Sequence, residues 1–245
     1  MMARRWPRSW LVAPLAWLGF AMSAASGELR LEPVSLALQP DEQATTFWLS
    51  NTGREPLQAQ VRVFSWTQDD GGEVLAPTRD VAVSPPLLEV PPLGRQRVRV
   101  VRLAADPPFA ETAYRLVVDE LPQTAAAAGE QPLLRYSIPV FLLPVPAPAG
   151  PLLSARIEED ASGQRLLRLE NSGDRHARVA ALRYIGTGGR RHELAPSLAG
   201  YVLAGRYKHW PLPEDAGRPP YGRFEAEVNG QAQVLVPAAD LLSGR

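Results

Sequence analysis

The chain has no cysteine. That absence excludes a disulfide scaffold, an iron–sulfur centre and thiol catalysis, and leaves His176, His192 and His209 as the only soft metal ligands or proton shuttles. It has no excess of charge either, with 26 basic side chains against 26 acidic ones. Electrostatic capture of phosphates needs a basic stripe or surplus, so a nucleic-acid partner is not expected. Beyond its first residues it also lacks any apolar run approaching the roughly 20 residues that cross a bilayer. What the chain has in quantity is proline and glycine, 25 and 19 among 245 residues. Both interrupt helices, so the composition favours short strands joined by turns.

Residues 1–26 read as a cleaved secretory signal peptide. Arg4, Arg5 and Arg8 form a basic start, an apolar stretch runs from Trp10 to Met22, and Ser23, Ala24, Ala25 and Ser26 give the small-residue exit. Export is therefore expected, into the periplasm if the cell is bacterial.

From Glu28 onward, apolar and polar residues alternate in short runs, which places one set on a buried face of a sheet. The clearest are residues 47–49, 59–64, 97–103 and 114–118. Asn51-Thr52-Gly53, Asp69-Asp70-Gly71-Gly72, Pro85-Pro86 and Pro91-Pro92-Leu93-Gly94 punctuate them as turns. The spacing predicts an all-β chain of antiparallel sandwiches. The proline-rich stretch Pro144-Val145-Pro146-Ala147-Pro148-Ala149-Gly150 cannot continue a ladder and predicts a stiff linker over 144–150. It would join a first domain at 27–143 to a second at 151–245. An internal echo supports two related sandwiches: Leu49-Ser50-Asn51-Thr52-Gly53 returns as Leu169-Glu170-Asn171-Ser172-Gly173. In the second half the best strand candidates are residues 166–169, 179–182, 224–228 and 234–236.

No catalytic constellation stands out. There is neither a G-x-S-x-G elbow nor an H-E-x-x-H pair. His176 and His192 lie among Arg178, Arg190 and Arg191, and His209 follows Lys208, settings that repel a cation. Asp69-Asp70 and Glu158-Glu159-Asp160 lead into glycine turns and read as solvated loops. The expectation is no metal, no cofactor and no enzyme, with a hydrolase acting through an unadvertised site as one competing reading. A second is an exported sandwich binding carbohydrate or surface polymer, with Trp48, Trp66 and Trp210 as stacking faces.

The most informative stretch runs from Pro132 to Pro144, after the loop 123–131. Leu134, Tyr136, Ile138 and Val140 share one parity. Pro139 inside the run has no N–H for a ladder, which predicts an edge strand or one that changes partner there. The row faces either its own core or a partner, and a bare edge of this kind can also pair with a second copy of the chain.

The order and spacing of several blocks resemble the periplasmic chaperones of the chaperone–usher pilus pathway over most of residues 28–144. They are Leu36-Ala37-Leu38, Thr45 to Asn51, Ser84-Pro85-Pro86 with the turn into Val98 to Leu103, Tyr114-Arg115-Leu116 through Asp119-Glu120-Leu121-Pro122, and Ile138-Pro139-Val140-Phe141 with Pro144. The resemblance implies two immunoglobulin-like domains and donor-strand complementation. In that reading Leu134, Tyr136, Ile138 and Val140 complete an unfinished pilus subunit, which passes to an outer-membrane usher. Family members hold the subunit's terminal carboxylate with two basic residues, and those positions fall at Ser35 and Pro139. The chain thus resembles a divergent branch without the usual basic pair, and Arg102 and Arg135 are its substitute candidates, since guanidinium binds carboxylate through two parallel bonds. Glu120 matches a family acid that pairs across the domain interface, although Leu143 stands where its basic partner is expected.

Overall fold

The computed structural model describes residues 29–122, 133–216 and 220–238. The signal-peptide reading of residues 1–26 and the loop 123–131 lie outside these described residues. Among the described residues all regular structure is β, in four sheets.

Strands up to residue 142 build two of the sheets. The first has the order β1 (Leu29–Glu32), β3 (Ala44–Asn51), β8 (Arg95–Arg102) and β6 (Val81–Ser84). The second has the order β2 (Leu36–Leu38), β10 (Arg135–Leu142), β9 (Thr112–Leu121), β4 (Leu57–Asp69) and β5 (Gly72–Pro77), with β7 (Leu87–Val90) also on β4. Alternation does what the sequence predicts: Leu29, Phe47, Leu49, Val98, Val100, Leu116 and Val118 point between the sheets and are fully buried. The chain's opening segment serves both layers, as β1 in one sheet and β2 in the other.

The remaining strands repeat the plan. One sheet holds β11 (Leu153–Glu159), β12 (Arg165–Asn171) and β15 (Arg206–Pro211); the other holds β14 (Arg191–Val202), β13 (Ala177–Ile185), β16 (Arg223–Val228) and β17 (Gln231–Leu235). Leu167, Leu169, Val179, Leu182, Val202 and Phe224 fill the space between them.

The sequence echo has a structural cause. Asn51 Nδ2 donates to the carbonyls of Glu55 and Val90 while its Oδ1 accepts the Gly53 N–H. Asn171 repeats the pattern with Arg175, Val202 and Gly173. Both side chains are buried, and each closes its own turn while tying it to a third strand. The asparagines are structural staples, and the amide satisfies backbone groups that burial would otherwise leave unpaired.

Residues 143–152 connect the two sandwiches. Asp174 grips this connection by accepting the N–H groups of Ala149 and Gly150, and those two bonds hold its carboxyl below the ordinary carboxylate range.

Candidate functional site

Two features of β10 stand out, a bare margin at its start and a clamped end. Along its length it pairs antiparallel with β9. On the other side β2 joins it only at Val140, Phe141 and Leu142. Among the described residues, nothing pairs the outer margin of Arg135 to Ser137. The Leu134 carbonyl accepts the Glu120 N–H, so even-numbered residues face β9 and odd-numbered ones turn outward. The Leu143 N–H bonding outward to Leu38 keeps the same parity. Pro139 therefore sits where no N–H is needed by β9, its carbonyl lies where the parallel ladder with β2 begins, and the free margin consists of the outward backbone groups of Arg135 and Ser137.

The four row residues face inward. Ile138 and Val140 are 4% and 0% exposed within the first sandwich's core, whereas Leu134 and Tyr136 are only half-buried against it. The row is thus graded, sealed toward the linker and open toward its start. Three polar ties pin that open start: Arg135 Nε pairs with Asp119, Glu120 Oε2 accepts the Leu134 N–H at 3.2 Å, and the Tyr136 hydroxyl donates to the Leu29 carbonyl at 2.5 Å.

The other end of β10 is clamped by the second sandwich. Phe141 packs with Trp66, Tyr201, Leu203 and Leu143 in an apolar cluster shared by both halves. The His176 ring lies flat on Phe141, centroids 3.6 Å apart, and its Nδ1 is 3.0 Å from both oxygens of Glu111. Gln68 bonds twice across the junction, its Nε2 donating to the Tyr201 carbonyl and its Oε1 accepting the Leu203 N–H.

Three expectations change here. Glu120 stands at the opposite end of β9 from this junction and bonds its neighbour Leu134; the acids that cross are Glu111, to His176, and Glu73, to Lys208. Leu143, in place of a basic partner, joins the apolar cluster. Trp66 and Trp210 are 3% and 7% exposed, so neither offers a free face for a sugar; Trp48 is covered by the Arg95 guanidinium at 4.4 Å.

The two proposed carboxylate anchors are not brought together. Arg102 lies on β8, in the opposite sheet from β10 rather than beside it, with its side chain turned inward and 4% exposed. Arg135 is on the margin but already paired to Asp119, which also holds Arg62 at 2.6 Å.

The residue that sequence reasoning passed over is Arg115. It stands on β9 directly opposite Pro139. Its guanidinium lies 3.6 Å above Trp66 and 5.5 Å from Tyr201, at the junction, with Glu73 at 3.3 Å. Burial lowers its pKa and Glu73 opposes the shift. Its Nε has no hydrogen-bond partner among the described residues, so donor capacity is left over. The signal was cross-strand register: Arg115 has the outward parity of β9, one strand away from the vacant basic position.

The same fold recurs among solved structures. In the complex of the CsuC chaperone with the CsuE tip adhesion subunit, from archaic chaperone–usher Csu pili of Acinetobacter baumannii, the match is 24% identical over 87% of this chain and 100% of that one, with a TM-score of 0.71. The Pseudomonas aeruginosa CupB2 chaperone matches at 18% identity over 85% and 100%, TM-score 0.59. The SafB chaperone bound to the Salmonella enterica SafA pilin matches at 17% over 87% and 97%, TM-score 0.60. No curated protein sequence matches the chain significantly. Residues 28–147 match the family described as pili and flagellar-assembly chaperone, PapD N-terminal domain. Residues 28–147 thus belong to the pili and flagellar-assembly chaperones as a PapD N-terminal domain, and the chain as a whole has the two-sandwich fold of the solved pilus chaperones.

Proposed function

We propose that this chain is a periplasmic chaperone, not an enzyme, that completes unfinished pilus subunits with β10 and delivers them to an outer-membrane usher. The observation that carries this reading is the outer margin of Arg135 to Ser137, left without a strand partner among the described residues beside a half-open apolar row. A subunit missing one strand has an open core and unpaired backbone groups. Laid against this margin, its free strand pairs with Arg135 and Ser137, and its core meets Leu134 and Tyr136 at the open rim, the start of the row whose other end, Ile138 and Val140, is sealed. Each backbone pair contributes about 0.5–1.5 kcal/mol net. Association and ordering costs offset part of the sum, which suits a complex that must later be taken apart.

Arg115 is the anchor for the subunit's terminal carboxylate in this proposal. A cation stacked on Trp66 beside the donor strand gives a chain end a fixed stop, and so fixes the register in which the subunit pairs.

The test is Ser137→Pro. It deletes an outward N–H and leaves the even-numbered bonds to β9 alone, so circular dichroism and the urea midpoint stay near wild type while co-purification of a co-expressed subunit falls at least ~10-fold. Undiminished capture by a folded variant counts against donor-strand use of this margin. An inner-row charge such as Ile138→Asp is a poorer test, because Ile138 is 4% exposed and the change would unfold the domain itself.

A further inference from the structure

Tyr136 differs from its row-mates in carrying a hydroxyl, and that hydroxyl has one use in the free protein. It donates to the Leu29 carbonyl at 2.5 Å. Leu29 opens β1, the edge strand of one sheet, and Tyr136 lies on the unpaired length of β10 in the other. The bond therefore spans the rim of the sandwich, from layer to layer, between the start of β1 and the length of β10 that β2 does not reach. Among the described residues it is the hydrogen bond that joins β1 to β10. The ring beneath it packs on the core and, with Leu134, covers the half-open end of the apolar row.

We infer that Tyr136 is a latch that holds the docking rim shut in the free chaperone and is released when a subunit enters. This rests on the donor-strand reading above. A strand added to the outer margin of β10 points alternate side chains into the space between the layers. Around residue 136 that space is filled by the phenol ring and crossed by its bond to β1. Entry requires the ring to swing or β1 to lift, and either motion breaks the bond. In the absence of a subunit the same bond satisfies the half-buried hydroxyl, keeps the open end of the row covered and keeps β1 on its sheet. The hydroxyl bond thus sets the rate of capture without being a contact that the complex needs.

The experiment compares purified wild type with Tyr136→Phe, which keeps the ring and deletes the bond. By hydrogen-exchange mass spectrometry, amides of residues 29–32 and 135–138 should exchange about 2- to 10-fold faster in the variant, the factor that a net hydrogen bond sets. Amides of β3 and β8 should not change. Equal exchange at 29–32 overturns the latch, and so does a uniform rise across the whole domain. For any subunit that wild type captures, the variant should capture it faster by a similar factor; capture at the same rate or slower also overturns the latch. If wild type captures no subunit, the chaperone reading falls, while the exchange result still decides whether Tyr136 holds the rim. Tyr136→Leu, which removes the hydroxyl with a different apolar shape, should reproduce the acceleration at 29–32.

Discussion

The two ends of β10 are seven residues of one strand apart and live under different rules. At Val140 to Leu142 the strand has partners on both sides, and Phe141 is locked between His176, Trp66 and Tyr201 of the domain junction. At Arg135 to Ser137 it has, among the described residues, β9 on one side alone, and its inner row is half-covered. The lesson is that a strand can be lent only if it is held firmly somewhere else. An edge strand bare along its whole length would fray or aggregate; this one is anchored at its end by packing, so its start can stay available.

The largest expected effect breaks the anchored end. Phe141 is 1% exposed, and Phe141→Ala removes a buried ring that touches both halves of the molecule. The cost should be about 3–5 kcal/mol, the usual range for deleting a buried aromatic. Urea unfolding followed by tryptophan fluorescence reads it, and loss of the shared cluster should also split one transition into two. A small cost with a single transition would show that the junction does not hold β10 and that the contrast between the ends is unfounded.

Next in size is the cation beside that end. Arg115→Gln should weaken subunit capture by about 10- to 100-fold, as expected when a charge-assisted bond of about 1.5–3 kcal/mol is lost. Its effect on stability should be smaller, about 1–2 kcal/mol, from the contact with Trp66. Arg102→Gln is the sharpening control, because Arg102 is buried in the opposite sheet. It should cost stability and leave affinity for a folded variant unchanged. Affinity measurements with the reverse ranking would move the anchor from Arg115 to Arg102.

Local chemistry was readable from the sequence, and register was not. Alternation at residues 97–103 and 114–118 marks β8 and β9 because a two-sided sheet leaves a period-two trace. Pro139 marks the free margin because proline removes one N–H and so tolerates one pairing side. By contrast, the sheet to which β8 belongs depends on pairing with residues about 50 positions away at β3, and nothing in Arg102 or its neighbours encodes that choice. Glu111 and His176, 65 positions apart, meet only because two domains meet. Arg115 was visible as a residue within a family block, yet its role follows from standing opposite Pro139. Trp66 and Trp210 resemble surface aromatics in their polar surroundings, but tertiary packing buries both.

The smallest expected effect lies at the free end, where Asp119 receives Arg135 and Arg62. Burial pushes the Asp119 carboxyl up, but hydrogen bonds from Arg135 and Arg62 outweigh it and hold the pKa below the ordinary value. A depressed folded pKa means stabilisation that is present above the unfolded value, about 3.9, and is lost as pH falls through the folded one. Both arginines are solvent-exposed, 44% and 69%, so screening keeps the contribution small, under about 1 kcal/mol. Asp119→Asn should therefore lower the urea midpoint slightly at pH 7, and the gap to wild type should close on acidification below about pH 3.9. The same substitution loosens Arg135 at the start of the lent strand, so any change in capture should exceed the change in stability. A stability loss as large as that of Phe141→Ala would mean that the start of β10 is held as firmly as its end, and the strand would then have no end free to lend.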